Sequence, residues 1–228
     1  MPRRALGAFL SVIALSVGAE ARALEPAVGR VERAGGGSCT GTLVTPDKVL
    51  TAAHCVFDSE TAKPVPPSHL LFRAGAAGER ERARRGVRTV QVPPAYRYEP
   101  EPERLEQVRC DRAVLTLARA LRIAPLATAT LKPDESFDAI GYPAYAPGYQ
   151  KKQYACTRSP RPAPDGLWPT TCFAVPGVSG APLLTPTRPP KVVGILVGRW
   201  NRISIAVPLT AACDAPVGHG DGADQGQG

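Results

Sequence analysis

Three short segments carry residue types that together support nucleophilic chemistry. In Leu50-Thr51-Ala52-Ala53-His54-Cys55 a histidine follows an apolar run, sits among small residues and adjoins a cysteine. A neutral imidazole, with a pKa near ~6.5, takes up a proton at physiological pH. In Pro176-Gly177-Val178-Ser179-Gly180-Ala181-Pro182 glycines bracket a serine. They allow a sharp turn and close approach of a substrate. The N–H groups of Gly177 and Ser179 can then converge on one developing negative charge. The serine hydroxyl is a poor nucleophile until a base removes its proton. In Cys110-Asp111-Arg112-Ala113-Val114-Leu115-Thr116-Leu117 an aspartate heads an apolar run. A carboxylate drawn into such surroundings needs hydrogen-bond donors, and an imidazole is one. Each segment has a plainer reading on its own: a surface histidine, a glycine-rich turn with an incidental serine, a strand-capping aspartate.

These residues must be positioned by strands. Proline (25) and glycine (22) are abundant and aromatics make up 6% of the chain, a pattern of short elements and many turns. The expected class is all-β. Strands are predicted at Val28–Arg33, Cys39–Val44 and Val49–Ala53, the last two flanking a Pro46-Asp47 turn. Further strands are predicted at Leu70–Ala74, Val87–Val92 and Ala113–Leu117. Residues 120–133 read as a crossing between two halves. The second half resumes at Phe137–Gly141, Gln150–Cys156, Ala181–Leu184, Val192–Val197 and Ile203–Val207, with a short helix expected near Leu209–Cys213.

The first 23 residues read as a targeting segment: Arg3 and Arg4, an apolar stretch Leu6–Val17, then Ala21-Arg22-Ala23. Cleavage after Ala23 or Ala21 fits. The apolar stretch is too short to span a bilayer, so no membrane span is expected. Loss of three arginines and one glutamate with residues 1–23 takes the formal charge from +8 to +6. All six cysteines follow this segment, as expected of disulfides in an exported chain, extracellular or periplasmic. Close Cys-x-x-Cys pairs are absent and the three histidines are scattered, so neither a metal site nor a cofactor is expected. Arg80, Arg82, Arg84, Arg85 and Arg88 form a basic cluster, read as a solvated loop; without interleaved aromatics it does not suggest a nucleic-acid partner.

The order His, Asp, Ser, with these surroundings, resembles the chymotrypsin/trypsin-like serine proteases, in particular secreted bacterial-type members with a Gly-x-Ser-Gly-x-Pro loop. Ser38-Cys39-Thr40-Gly41-Thr42-Leu43-Val44 and Val49 through Cys55 resemble the family's strand and histidine turn. Asp111 through Leu115 and Gly177 through Pro182 resemble its aspartate and serine segments. The resemblance covers about Val28 to Leu209. It implies two antiparallel six-stranded β-barrels, 24–125 carrying His54 and Asp111 and 126–215 carrying Ser179; residues 216–228, rich in Gly, Asp and Gln, are expected to be a disordered tail on composition. It implies a monomeric endopeptidase acting on proteins or peptides through a His54–Asp111–Ser179 triad, an acyl-enzyme, and an oxyanion hole at Gly177 and Ser179. It also implies disulfides Cys39–Cys55 and Cys156–Cys172, with Cys110–Cys213 as the remaining pair.

Two departures matter. Val178 stands where animal digestive members place the aspartate that pairs with a freed N-terminus, so that activation switch is not expected. Phe173 aligns with the base of the specificity pocket, where trypsin-like members carry aspartate, which disfavours cleavage after Arg or Lys. Val197, Gly198 and Arg199 align with the pocket wall. Arg199 either favours an acidic side chain or extends to solvent; small or apolar side chains are the leaning. An inactive relative that binds polyanions, and turnover of small esters, are the rival readings.

Overall fold

A computed structural model of the chain describes residues 25–100, 105–132, 134–161, 163–164, 166–211 and 213. The targeting segment and the tail expected from sequence lie outside them.

The first six strands are β1 (Val28–Arg33), β2 (Ser38–Thr45), β3 (Lys48–Thr51), β4 (Leu70–Ala74), β5 (Ala83–Gln91) and β6 (Ala113–Leu117). They form a closed barrel in the order β1-β2-β3-β6-β5-β4, with β1 pairing antiparallel to both β2 and β4. Alternation drives this arrangement. In β4, Leu70, Phe72 and Ala74 point inward and Leu71 and Arg73 are only partly covered. Val31, Leu43, Val49, Phe72 and Leu115 fill the interior. Each such side chain removed from water contributes roughly 1.5–3 kcal/mol.

The second six are β7 (Phe137–Gly141), β8 (Lys151–Cys156), β9 (Trp168–Thr170), β10 (Pro182–Leu184), β11 (Val192–Trp200) and β12 (Ile203–Pro208). Their order is β8-β7-β10-β11-β12-β9. The two outer strands meet just past Cys156: Ser159 N–H donates to Pro169 O at 2.8 Å, Thr171 N–H to Thr157 O at 3.1 Å, and Cys156 is bridged to Cys172. The architecture is the expected pair of six-stranded antiparallel, barrel-like sheets with almost no helix.

Three details differ from the sequence reading. β5 begins at Ala83, so Arg84, Arg85 and Arg88 lie on a strand and only Arg80 and Arg82 precede it. Register sets Arg30, Arg73 and Arg84 side by side across β1, β4 and β5. Like charges so placed repel. Glu32 and Glu81 interleave them: Glu32 pairs with Arg30 at 3.0 Å and Arg73 at 3.3 Å, while Glu81 pairs with Arg73 and, at 3.4 Å, with Arg84. The three-residue β9 escaped notice because proline interrupts it. The helix expected at Leu209–Cys213 is a turn at Leu209 and Thr210 instead.

One buried network ties the two sheets together. The Tyr142 hydroxyl donates to Ala76 O at 3.1 Å and lies 3.3 Å from Val28 O. The Gln150 amide reaches the same hydroxyl at 2.9 Å and the carbonyls of Glu25 and Val28 at 2.9 and 3.0 Å. Burial pushes the Tyr142 phenol up to about 12, so it stays a donor at any physiological pH.

Candidate active site

His54 sits on a single 3-10 turn, Ala53–Val56, that breaks off from the end of β3. Ala52 and Ala53 are fully buried where the turn enters the core. Strand register brings the aspartate to it. Thr51 faces Ala113 across the β3–β6 ladder, so the residues three after one and two before the other meet. The Asp111 carboxylate takes the backbone N–H of His54 at 2.9 Å on Oδ1 and the ring Nδ1–H at 2.6 Å on Oδ2. Asp111 is buried, so these two bonds satisfy a group that would otherwise be costly in the core. They also fix the ring's tautomer and tilt, leaving Nε2 without a proton in the neutral form. Burial pulls the His54 pKa down, Asp111 pulls it up by charge and hydrogen bond, and the Arg33 cation pulls it down again; the net shift is upward.

The serine loop belongs to the second sheet but is docked on the first. Thr40, fully buried on β2, donates its N–H to Ser179 O at 2.8 Å and its hydroxyl to Gly177 O at 2.9 Å. That hydroxyl also accepts the Tyr142 N–H at 3.0 Å, and Thr51 Oγ1 donates to Thr40 O at 2.7 Å. The loop passes close enough that only glycine fits at two places. Gly177 has φ +91°, and a Cβ there would stand 2.3 Å from Tyr142 O; Gly180 has φ +80°, and its Cβ would stand 2.2 Å from Thr40 O. Two peptide planes are pinned from behind. Pro176 O accepts the Ala144 N–H, and Val178 O accepts the Ala181 N–H, both at 2.8 Å. In a trans peptide the N–H points opposite to its carbonyl. The Gly177 and Ser179 N–H groups are thereby turned away from the loop's own contacts. Among the described residues neither has an acceptor in the protein. Val178 is buried at the back of the loop, where Gly141 leaves room for it.

A family model described as a trypsin-like peptidase domain matches residues 39–195, from the disulfide beside the histidine turn through the serine loop into β11. The chain belongs to the trypsin-like peptidase domain family. Among solved structures, this trypsin-like domain is similar in fold to a Glu endopeptidase in complex with MPD, with a TM-score of 0.64 at 20% identity over 82% of this chain and 86% of that one. The scabies mite inactivated protease paralogue S-D1 gives 0.64 at 16% identity, covering 81% and 87%. The thermostable serine protease AL20 from an extremophilic microorganism gives 0.62 at 17%, covering 81% and 91%. The modular serine protease of Drosophila melanogaster is 42% identical over 87 residues, which is 35% of this chain and 13% of that protein. This chain therefore spans only a small part of that relative's length.

Beside His54 lies a cavity of about 220 Å³ lined largely by carbon, from Tyr96, Tyr98, Leu105, Val197, Trp200 and Ile205, with Gly198 and Arg199 on its wall. Val197, Gly198 and Arg199, read from sequence as pocket wall, line this cavity, and Arg199 is exposed. Phe173 does not. It is 75% exposed and lines a separate depression with Tyr145, Lys151 and Val178. The cause is a long-range pair of bonds: the Gln153 side chain donates to Phe173 O at 3.0 Å and accepts its N–H at 2.6 Å, which fixes the backbone there with the ring outward. Tyr96, Tyr98, Leu105 and Trp200 carried no motif, and only the fold gathers them.

Cys39 and Cys55 are bridged, which locks β2 to the histidine turn. Their sulfurs lie within ligand distance of the His54 ring but, being bonded to each other, offer no thiolate to a metal. Cys110 and Cys213 are not bridged. They are buried thiols side by side, with Cys213 Sγ 3.6 Å from Arg109 O. Burial first, and then the hydrogen bond with Cys110, push the Cys213 thiol up to about 12. The C-terminal segment is held there by hydrogen bonds, including Arg112 Nη1 to Leu209 O at 3.2 Å, where a covalent tie was expected. Among the described residues no helix is long and apolar enough to cross a membrane.

Proposed function

We propose that this protein is a secreted serine endopeptidase in which His54, Asp111 and Ser179 form the catalytic triad. The observation that carries the reading is the two-bond clamp of Asp111 on His54, which orients an imidazole whose free nitrogen serves as a base. Ser179, whose carbonyl is bonded to Thr40 N–H, attacks the substrate carbonyl as His54 takes its proton. Asp111 steadies the resulting imidazolium. The N–H groups of Gly177 and Ser179 receive the oxyanion; one such donor is worth roughly 10²–10³ in rate. His54 then protonates the leaving amine, and water releases the acyl group by the same route.

The residues before the scissile bond lie along Val197–Arg199, and the apolar cavity beside His54 takes a small or apolar side chain. Export follows from the targeting segment over residues 1–23 and the bridged cysteines. One of the similar folds is an inactivated paralogue, so fold alone does not make an enzyme. Here all three triad residue types and both oxyanion donors are present.

A fluorophosphonate probe tests the reading. It should label the protein once, at Ser179, and Ser179→Ala should lose both the label and peptide cleavage, with kcat down roughly 10⁴–10⁶-fold. A protein that folds, resists the probe and cleaves nothing is a binding protein on a protease fold.

A further inference from the structure

The cleft at His54 has two sides of unlike chemistry. On the Asp111 side the wall is mostly carbon. On the other side, past the Cys39–Cys55 bridge, the turn between β1 and β2 brings up a cation. Arg33, the last residue of β1, donates from Nη1 to Phe57 O at 2.7 Å. The Phe57 N–H in turn donates to His54 O at 3.2 Å, so the arginine is anchored to the histidine turn itself. The absence of a side chain at Gly37 makes room for the guanidinium, since a Cβ there would stand 2.5 Å from Nη2.

This half-buried cation has no carboxylate within ion-pair distance among the described residues. Asp58 lies within its field but is engaged elsewhere: its Oδ1 accepts Thr61 N–H and Thr61 hydroxyl at 2.8 Å each, and Glu60 N–H at 3.2 Å. A guanidinium has five N–H donors in a planar fork, and one bond to Phe57 O leaves the rest for a ligand.

Ser179 lies between β11, where Gly180 N–H donates to Leu196 O at 2.7 Å, and the Cys39–Cys55 bridge, whose Cys55 Sγ is 3.9 Å from Ser179 O. With the acyl part of a peptide along Val197–Arg199, its amine part leaves toward that bridge and the β1–β2 turn. We propose that Arg33 is a specificity-determining residue that reads a substrate carboxylate, from Asp or Glu, just after the scissile bond. The inference rests on the endopeptidase reading above. It has a catalytic corollary. The Arg33 field works against the imidazolium that forms on His54. A bound carboxylate quenches that field, so part of the preference should appear in kcat.

The experiment uses the full protein and peptides of one acyl sequence, with Asp, Glu, Asn, Gln, Lys or Ala in the first and second places after the cleaved bond. The expected acid-over-amide ratio in kcat/KM is about ten- to a hundredfold at one of these places, the size of one charge-assisted hydrogen bond. Arg33→Gln should bring the ratio near one, Arg33→Glu should invert it toward Lys, and Arg33→Lys should keep part of it. An arginine that only braces Phe57 lowers turnover of every peptide alike and leaves the ratio unchanged; that result overturns the proposal. If the wild-type protein cleaves none of the peptides and escapes the fluorophosphonate probe, the endopeptidase reading fails first and takes this one with it.

Discussion

At the scale of the residue, the decisive arrangement is a buried carboxylate holding a histidine by two bonds, one to its ring and one to its backbone. Because the net shift on His54 is upward, the folded protein binds that proton more tightly than the unfolded chain does. The stability gained is fully present below the unfolded pKa near ~6.5 and fades as pH rises through the folded value. Activity runs the other way, since the base must be neutral. The acidic limb of kcat/KM should therefore lie above the ordinary histidine pKa, and a pH–rate profile checks it. Asp111→Asn should lower kcat about 10⁴-fold by favouring the wrong tautomer, and should also move that limb downward. A limb that stays in place in the variant would mean another group titrates there.

At the scale of the element, the serine loop depends on a strand from the other barrel. Gly180→Ala forces a Cβ against Thr40 O at a positive φ, and should cost at least about 1–3 kcal/mol, seen as a lower denaturation midpoint with activity lost. Thr40→Val keeps the volume but removes the hydroxyl bonded to Gly177 O and Tyr142 N–H. The loss should be about 1–3 kcal/mol, with kcat falling more than KM rises. A Thr40→Val enzyme with unaltered kcat would show that the loop holds its shape unaided. This dependence also marks the limit of sequence reading. The proposed triad of His54, Asp111 and Ser179 was read from three short segments, each with its own local signature, and the strands were legible because apolar alternation is local. Phe173 was misplaced because its direction is set by Gln153, twenty residues away and bonded to it only in the fold. Tyr96, Tyr98 and Trp200 converge from separate loops and strands, and the Arg30–Arg73–Arg84 row exists only once three strands are in register. No window of sequence contains such relations.

At the scale of the whole molecule, one apolar cluster runs from Val28, Leu43 and Leu115 of the first barrel into Ile140, Leu184, Val192 and Ile195 of the second, and a smaller core is confined to the second. Polar junctions add to it: Tyr142 and Gln150 supply one, Thr40 another, and Gly78 N–H to Gly148 O at 2.9 Å a third. The first barrel closes on itself without help from the second, and the Cys39–Cys55 bridge adds about 2–4 kcal/mol to the half that carries the base. Because that cluster crosses from one barrel to the other, the serine loop cannot leave Thr40 while the shared apolar contacts hold. A warmed enzyme should therefore fall silent as its strands melt and not before. Residual activity measured along a temperature ramp should coincide with the far-ultraviolet circular dichroism transition. Activity lost well ahead of that transition would mean that the halves part before either unfolds.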